Sequence, residues 1–242
     1  MSGHSKWHNI QRTKGAQDAK RAKIFTKIAR EMTVAVRESG IGDPANNMRL
    51  AAAVTKAKAA NMPNDNIKRT IDKALGAGSG DSYENIVYEG YGPSGVAVIV
   101  ETMTDNRNRT ASEMRHYFDK YGGNMGTSGC VSWSFDKKGV IIIGNESGKL
   151  DEDTVMMDAL DCGASDFEPG DGAFEIYTDS ELFQSVVSAM EERGYTFLSA
   201  QVEMLPQNYI ELTSEFDIKN MQKMLDMFED NDDVQEVWHN WE

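Results

Sequence analysis

Between Lys6 and Lys27 the sequence carries seven lysines and arginines and a single acid, Asp18. The bases are Lys6, Arg12, Lys14, Lys20, Arg21, Lys23 and Lys27, and Arg30 continues the series. Cations at this density neutralise phosphates and release counterions, which gives an affinity for phosphate polymers that ignores sequence and falls with salt. Trp7 sits among them. Its indole either stacks on an unpaired base or anchors the arm onto a helical domain. A second place of interest is TDNRNRT, residues 104–110, where Arg107 and Arg109 stand at the start of a helix. Positive charge is disfavoured there by a few tenths to about 1 kcal/mol. The two arginines therefore either hold an anion together with the free N–H groups or pair with acids such as Asp105 and Glu113. A third is YGGNMGTSGC, residues 121–130, whose four glycines either admit a phosphate close to the backbone or simply stop a helix and turn the chain.

The remaining reactive residues form no constellation. His4 and His8 are four apart but lack a third ligand nearby, so no metal is expected. Asp151, Glu152 and Asp153 open a helix, where the macrodipole favours acids. There is no GxSxG and no Walker loop. GAGSGDS follows a helix rather than a strand and reads as a linker. Cys130 and Cys162 are distant and form no CxxC, which fits reduced thiols. The expectation is a protein without catalytic residues, cofactor or small-molecule substrate. The chain of 242 residues has 25 bases against 39 acids, a net charge of −14. The imbalance is local. Residues 1–80 hold 15 lysines and arginines against 6 acids, an excess of nine positive charges, and residues 81–242 hold 10 against 33, a deficit of 23. Such a split predicts a basic module for nucleic acid, DNA or ribosomal RNA, and an acidic body that does not meet it directly. The longest apolar runs, Val96–Val100 and Val140–Ile143, have strand length, so no membrane span is expected. The basic start is not followed by an apolar segment, which argues against a signal peptide and for a cytoplasmic protein.

These groups need a scaffold. Residues 1–15 contain only Trp7 and Ile10 as sizeable apolar groups and are expected to form a mobile arm in isolation. Phe25, Ile28, Ala29, Met32 and Val36 recur with the 3.6-residue period and predict a helix over 17–39, with Lys20, Lys23, Lys27, Arg30 and Arg37 roughly opposite. Val34 breaks the pattern by standing among the bases. A second helix is expected over 46–60, and a third after Pro63 with Ile67, Ile71 and Leu75 on one stripe. The period then changes. Strands are expected near 86–91 and over 95–103, 130–135 and 208–213. A helix over 110–123 would open with a Thr110–Glu113 capping box. Residues 138–205 alternate as βαββαβ, the split-βαβ pattern. The fold class read from this is multidomain α and α+β: a basic three-helix domain (1–78), a discontinuous α+β domain (82–135 plus 206–242), and a ferredoxin-like α+β domain (136–205) inserted into it, both α+β domains being ferredoxin-like.

Several long segments carry a resemblance. GHSKW (3–7), AQDAKRAKIFTKIARE (16–31), KAKAANMPNDNI (56–67), YEGYGPSGVAVIVE (88–101) and TDNRNRTASEMRHYFDKYGGNMGTSGCVSWSF (104–135) resemble the YebC/PmpR family of probable transcriptional regulators. That family includes the translational activator of mitochondrial cytochrome c oxidase. The resemblance implies three domains, the third inserted in the second, no catalytic residues, and nucleic-acid binding, either to DNA or in translation on the ribosome. Mitochondrial members carry a leader before GHSKW, whereas Met1 and Ser2 directly precede it here, so a bacterial cytoplasmic protein is expected. The chain departs from the family pattern at GIGDPANNMRLA (40–51), where a basic position is replaced, and at His8.

Overall fold

The computed structural model describes residues 18–76 and 83–242, with side chains from Ala22 onward. The arm at residues 1–15, the histidines His4 and His8, and all but the first residue of the GAGSGDS linker lie outside the described residues. Three helices come first: α1 (Asp18–Ser39), α2 (Met48–Ala59) and α3 (Asn64–Gly76). Their shared core is Ile28, Met32, Ala35 and Val36 from α1, Leu50, Ala53 and Ala57 from α2, and Ile67 and Ala74 from α3. The alanines of α2 let the helices approach closely. The corner between α1 and α2 is built on Asn47, which is buried. Its amide donates to the Ala35 and Ile41 carbonyls, both at 3.0 Å, while its Oδ1 accepts from the Leu50 N–H at 3.1 Å. One side chain thus closes the end of α1 and caps α2. The second helix consequently starts at Met48, after a 3-10 turn at Pro44–Asn46, rather than at residue 46.

The chain then makes two four-stranded sheets, with the helices α4 (Arg107–Lys120), α5 (Glu152–Asp161), α6 (Phe183–Glu192) and α7 (Glu215–Asp230). By contact density it divides into two compact units, residues 1–78 with 137–203, and residues 79–136 with 204–242. The second unit holds β1 (Glu84–Tyr91), β2 (Ala97–Thr104), the two-residue β3 (Asn124–Met125) and β8 (Val234–His239), in the order β3-β1-β2-β8. The antiparallel hairpin β1–β2, in register from Glu84↔Thr104 to Tyr91↔Ala97, forms the centre of this sheet. Strand β2 is buried almost throughout, which explains its continuous apolar run. Helices α4 and α7 cover one face through Met114, Phe118, Met221, Met224 and Phe228, with the Phe118 and Phe228 rings 5.2 Å apart edge to face. Ala97, Ile99, Val131 and Phe135 pack on the other.

Strands β4 (Phe135–Gly144) and β7 (Ser199–Pro206) run from this unit into the other. There they join β5 (Asp166–Gly170) and β6 (Ala173–Asp179) in the order β5-β6-β4-β7, the split-βαβ arrangement expected from the sequence. Helices α5 and α6 bury Val155, Ala159, Val186, Val187 and Met190 against Ile141, Ile143, Phe174 and Ile176. Both units therefore contain helices layered on a four-stranded antiparallel sheet, reached by different strand orders. Among the described residues no helix is long and apolar enough to cross a membrane.

Three local expectations are corrected. Helix α4 begins at Arg107 with Asn106 as its cap, its Oδ1 accepting from the Arg109 N–H at 3.1 Å, so Thr110 and Glu113 form no capping box. Residues 130–134 are not a strand: Ser132–Ser134 is a 3-10 turn, and β4 starts at Phe135. Residues 208–213 make only an isolated bridge, Ile210↔Trp241, tied by the Ile210 N–H to the Asn240 carbonyl at 2.7 Å.

Candidate nucleic-acid interface

Helix α1 positions the predicted bases. With Ile28, Met32 and Val36 facing the helical core, Lys23, Lys27 and Arg30 project from the other side. Lys23 is exposed, whereas Lys27 and Arg30 are half-buried. Val34, the residue that broke the pattern, is only 4 % exposed. This face is thus partly covered rather than simply solvated. Lys20 and Arg21 lie on the same helix, and Lys6, Trp7, Arg12 and Lys14 lie outside the described residues. Several other cations of the helical domain have acidic partners. Lys56 Nζ is 2.9 Å from Glu31, Lys58 Nζ is 3.5 Å from Glu191 of α6, and Arg49 pairs with Glu38. Helix α3 adds Lys68, Arg69 and Lys73, all exposed. The sequence reading missed these three as candidates, because Asp65 and Asp72 share the helix and dilute the charge run.

The other two places singled out in the sequence turn out to be filled from within the protein. At the start of α4, Arg109 Nη2 lies 2.7 Å from Asp233 Oδ2 and 3.0 Å from Asp105 Oδ1. The Asp233 oxygen also accepts from the Thr104 hydroxyl at 3.0 Å and the Thr110 hydroxyl at 2.8 Å. Burial alone would raise the Asp233 carboxyl, but the hydrogen bonds from Arg109, Thr110 and Thr104 outweigh it and hold the group below its ordinary value of 3.8. The same contacts raise the Arg109 guanidinium. Of the two readings of Arg109, pairing with acids is the one the geometry carries. Glu113 instead accepts from the Asn231 amide at 2.8 Å. Arg107 is different: its side chain is 68 % exposed and its guanidinium lies 3.6 Å from Glu84, a loose surface pair.

The glycine-rich loop is organised around Glu89. This carboxylate is buried and accepts from the backbone N–H groups of Gly129 at 2.8 Å and of Val131 and Ser132, both at 2.9 Å. Burial pushes its pKa up, and the three backbone donors bring it back below the ordinary 4.5. The nest of N–H groups that a phosphate would need is occupied by the protein's own carboxylate. Those same donors curl residues 131–134 out of a strand. Nearby, burial and the Glu89 charge raise the Cys130 thiol. Cys130 and Cys162 are both free thiols. No cluster of His, Cys, Asp or Glu suited to a metal occurs among the described residues.

Comparison with known proteins agrees with this architecture. Residues 5–77 match the TACO1/YebC protein N-terminal domain, and residues 83–241 match the TACO1/YebC second and third domain. The chain is 55 % identical over 242 residues to a protein of Finegoldia magna named a probable transcriptional regulatory protein, covering 100 % of this chain and 99 % of that one. A protein of Acetivibrio thermocellus with the same name is 56 % identical over 241 residues, again covering 100 % and 99 %. The crystal structure of a conserved hypothetical protein from Aquifex aeolicus superposes with a TM-score of 0.80 at 42 % identity, covering 93 % of this chain and 91 % of that one. Helical front, α+β units and full-length similarity together make this chain a member of the TACO1/YebC family.

Proposed function

We propose that the protein is a non-enzymatic regulator that binds nucleic acid through its N-terminal bases, as a DNA-binding transcriptional regulator of the cytoplasm. The observation that carries this reading is the segregation of charge, with nine excess positive charges in residues 1–80 and Lys23, Lys27 and Arg30 set opposite the apolar stripe of α1. The relatives' shared name supports the transcriptional role. Replacing Lys20, Lys23, Lys27 and Arg30 together by Ala tests it. Affinity for a DNA duplex should fall, and the slope of log K against log salt should shrink by about 3, while helical circular dichroism is retained. Unchanged affinity and slope would sink the proposal.

A second reading is favoured by the acidity of the remainder. A body with a deficit of 23 charges is repelled by bare duplex but suits an assembly in which RNA and basic proteins lie side by side. On that reading the protein is a ribosome-associated translation factor, and its bases contact ribosomal RNA. Cosedimentation with ribosomes at near-physiological salt separates the two: a protein that stays at the top of the gradient is not such a factor.

A further inference from the structure

Two aromatic rings converge on one carbonyl beside the glycine-rich loop. The Trp133 indole N–H donates to the Cys130 carbonyl at 2.9 Å, and the Tyr91 hydroxyl donates to the same oxygen at 3.1 Å. Trp133 is nevertheless 72 % exposed and Tyr91 39 %. Isolated exposed apolar groups are ordinary. Here, however, the polar edge of each ring is already satisfied inside the protein, which fixes the rings and leaves their faces to solvent. The charge beneath them is negative. Glu89 lies two residues before Tyr91 on β1, hence on the same face of the strand, and its ionised carboxylate takes the N–H of Ser132, the residue before Trp133. Asp136 is exposed three residues further on. The unit that carries the pair has 18 acids against 6 lysines and arginines, an excess of twelve negative charges. Electron-rich ring faces in a negative field attract cations, Trp most strongly, and repel the phosphates that accompany a nucleobase.

We propose that Trp133 and Tyr91 form a docking platform for the guanidinium or ammonium groups of a basic segment of a protein partner. The surface is distinct from the bases of α1 and serves a different ligand class. Fluorescence anisotropy of a labelled nona-arginine peptide, titrated with the full chain at about 0.15 M salt, where long-range attraction is screened, provides the test. Trp133→Ala should weaken binding about three- to tenfold, and Trp133→Phe should keep most of it. Phe216→Ala removes another aromatic of the same unit, 71 % exposed, and should leave affinity unchanged. The proposal is overturned if Trp133→Ala has no effect or matches Phe216→Ala. It is equally overturned if Trp133→Ala lowers affinity for a labelled single-stranded oligonucleotide as much as for the peptide, since the platform would then serve bases. Substitutions on α1, read with a DNA duplex, test the nucleic-acid function separately.

Discussion

The helical domain and the unit built on β1, β2 and β8 surround their cations with opposite balances of charge. In the β-sheet unit, acids outnumber bases three to one, and Arg109 is spent on holding two aspartates and the start of α4 in place. In the helical domain bases outnumber acids over residues 1–80, and Lys56 and Lys58 pair with Glu31 and Glu191 while the charge of those residues as a whole stays positive. The contrast teaches that an arginine at a helix start is no guide to function until its partners are counted. Where acids are in excess, as around Arg109, the fold itself claims the cation.

The sharpest way to break the contrast is to remove the acid that claims Arg109. Asp233→Ala leaves the buried Thr104 and Thr110 hydroxyls without their shared carboxylate, while the half-exposed Arg109 keeps Asp105 and solvent. The cost should be about 2 kcal/mol, mainly from the two hydroxyls, read as a lower midpoint in urea. A loss below about 1 kcal/mol would mean that this cluster is not committed to structure. A smaller effect is expected from Glu89→Gln, which keeps the shape but removes the charge that three N–H groups address, at roughly 1–2 kcal/mol near pH 7. Because the folded-state pKa of Glu89 is depressed, its contribution is full above the ordinary value of 4.5 and fades as pH falls through the folded value. The stability gap between wild type and Glu89→Gln should therefore narrow as pH falls below the ordinary 4.5, and a gap that stays constant would show that the carboxylate is not ionised in the fold. The smallest effect sharpens the other side. Lys58 and Glu191 are both well exposed, so Lys58→Ala should cost less than about 0.5 kcal/mol.

Much of the scaffold could be read in the sequence because it follows from periodicity. The stripe of Ile28, Met32 and Val36 fixed α1, and the βαββαβ alternation gave the inserted sheet. The misses share a cause: distant side chains override local patterns. Thr110 and Glu113 have the spacing of a capping box, yet the Thr110 hydroxyl is claimed by Asp233, 123 residues away. Cys130–Phe135 alternates like a strand, but Glu89 gathers its N–H groups from about forty residues upstream. Val34 breaks the pattern by standing among the bases, and its burial became visible only in three dimensions. The bases of α1 were legible as a charge run, while those of α3 were not, since acids on the same helix masked them.

Where the chain leaves for its inserted sheet and where it returns, Gln207 extends the pairing of β4 with β7. The Gln207 N–H donates to the Ser134 carbonyl at 2.9 Å, and its side-chain amide to Asp136 at 3.0 Å. The outgoing and incoming strands are thereby clasped side by side, so the host unit sees the insertion as a closed loop of fixed, narrow span. Lengthening or shortening the insertion beyond that clasp should therefore change little of the entropy needed to fold the unit that receives it.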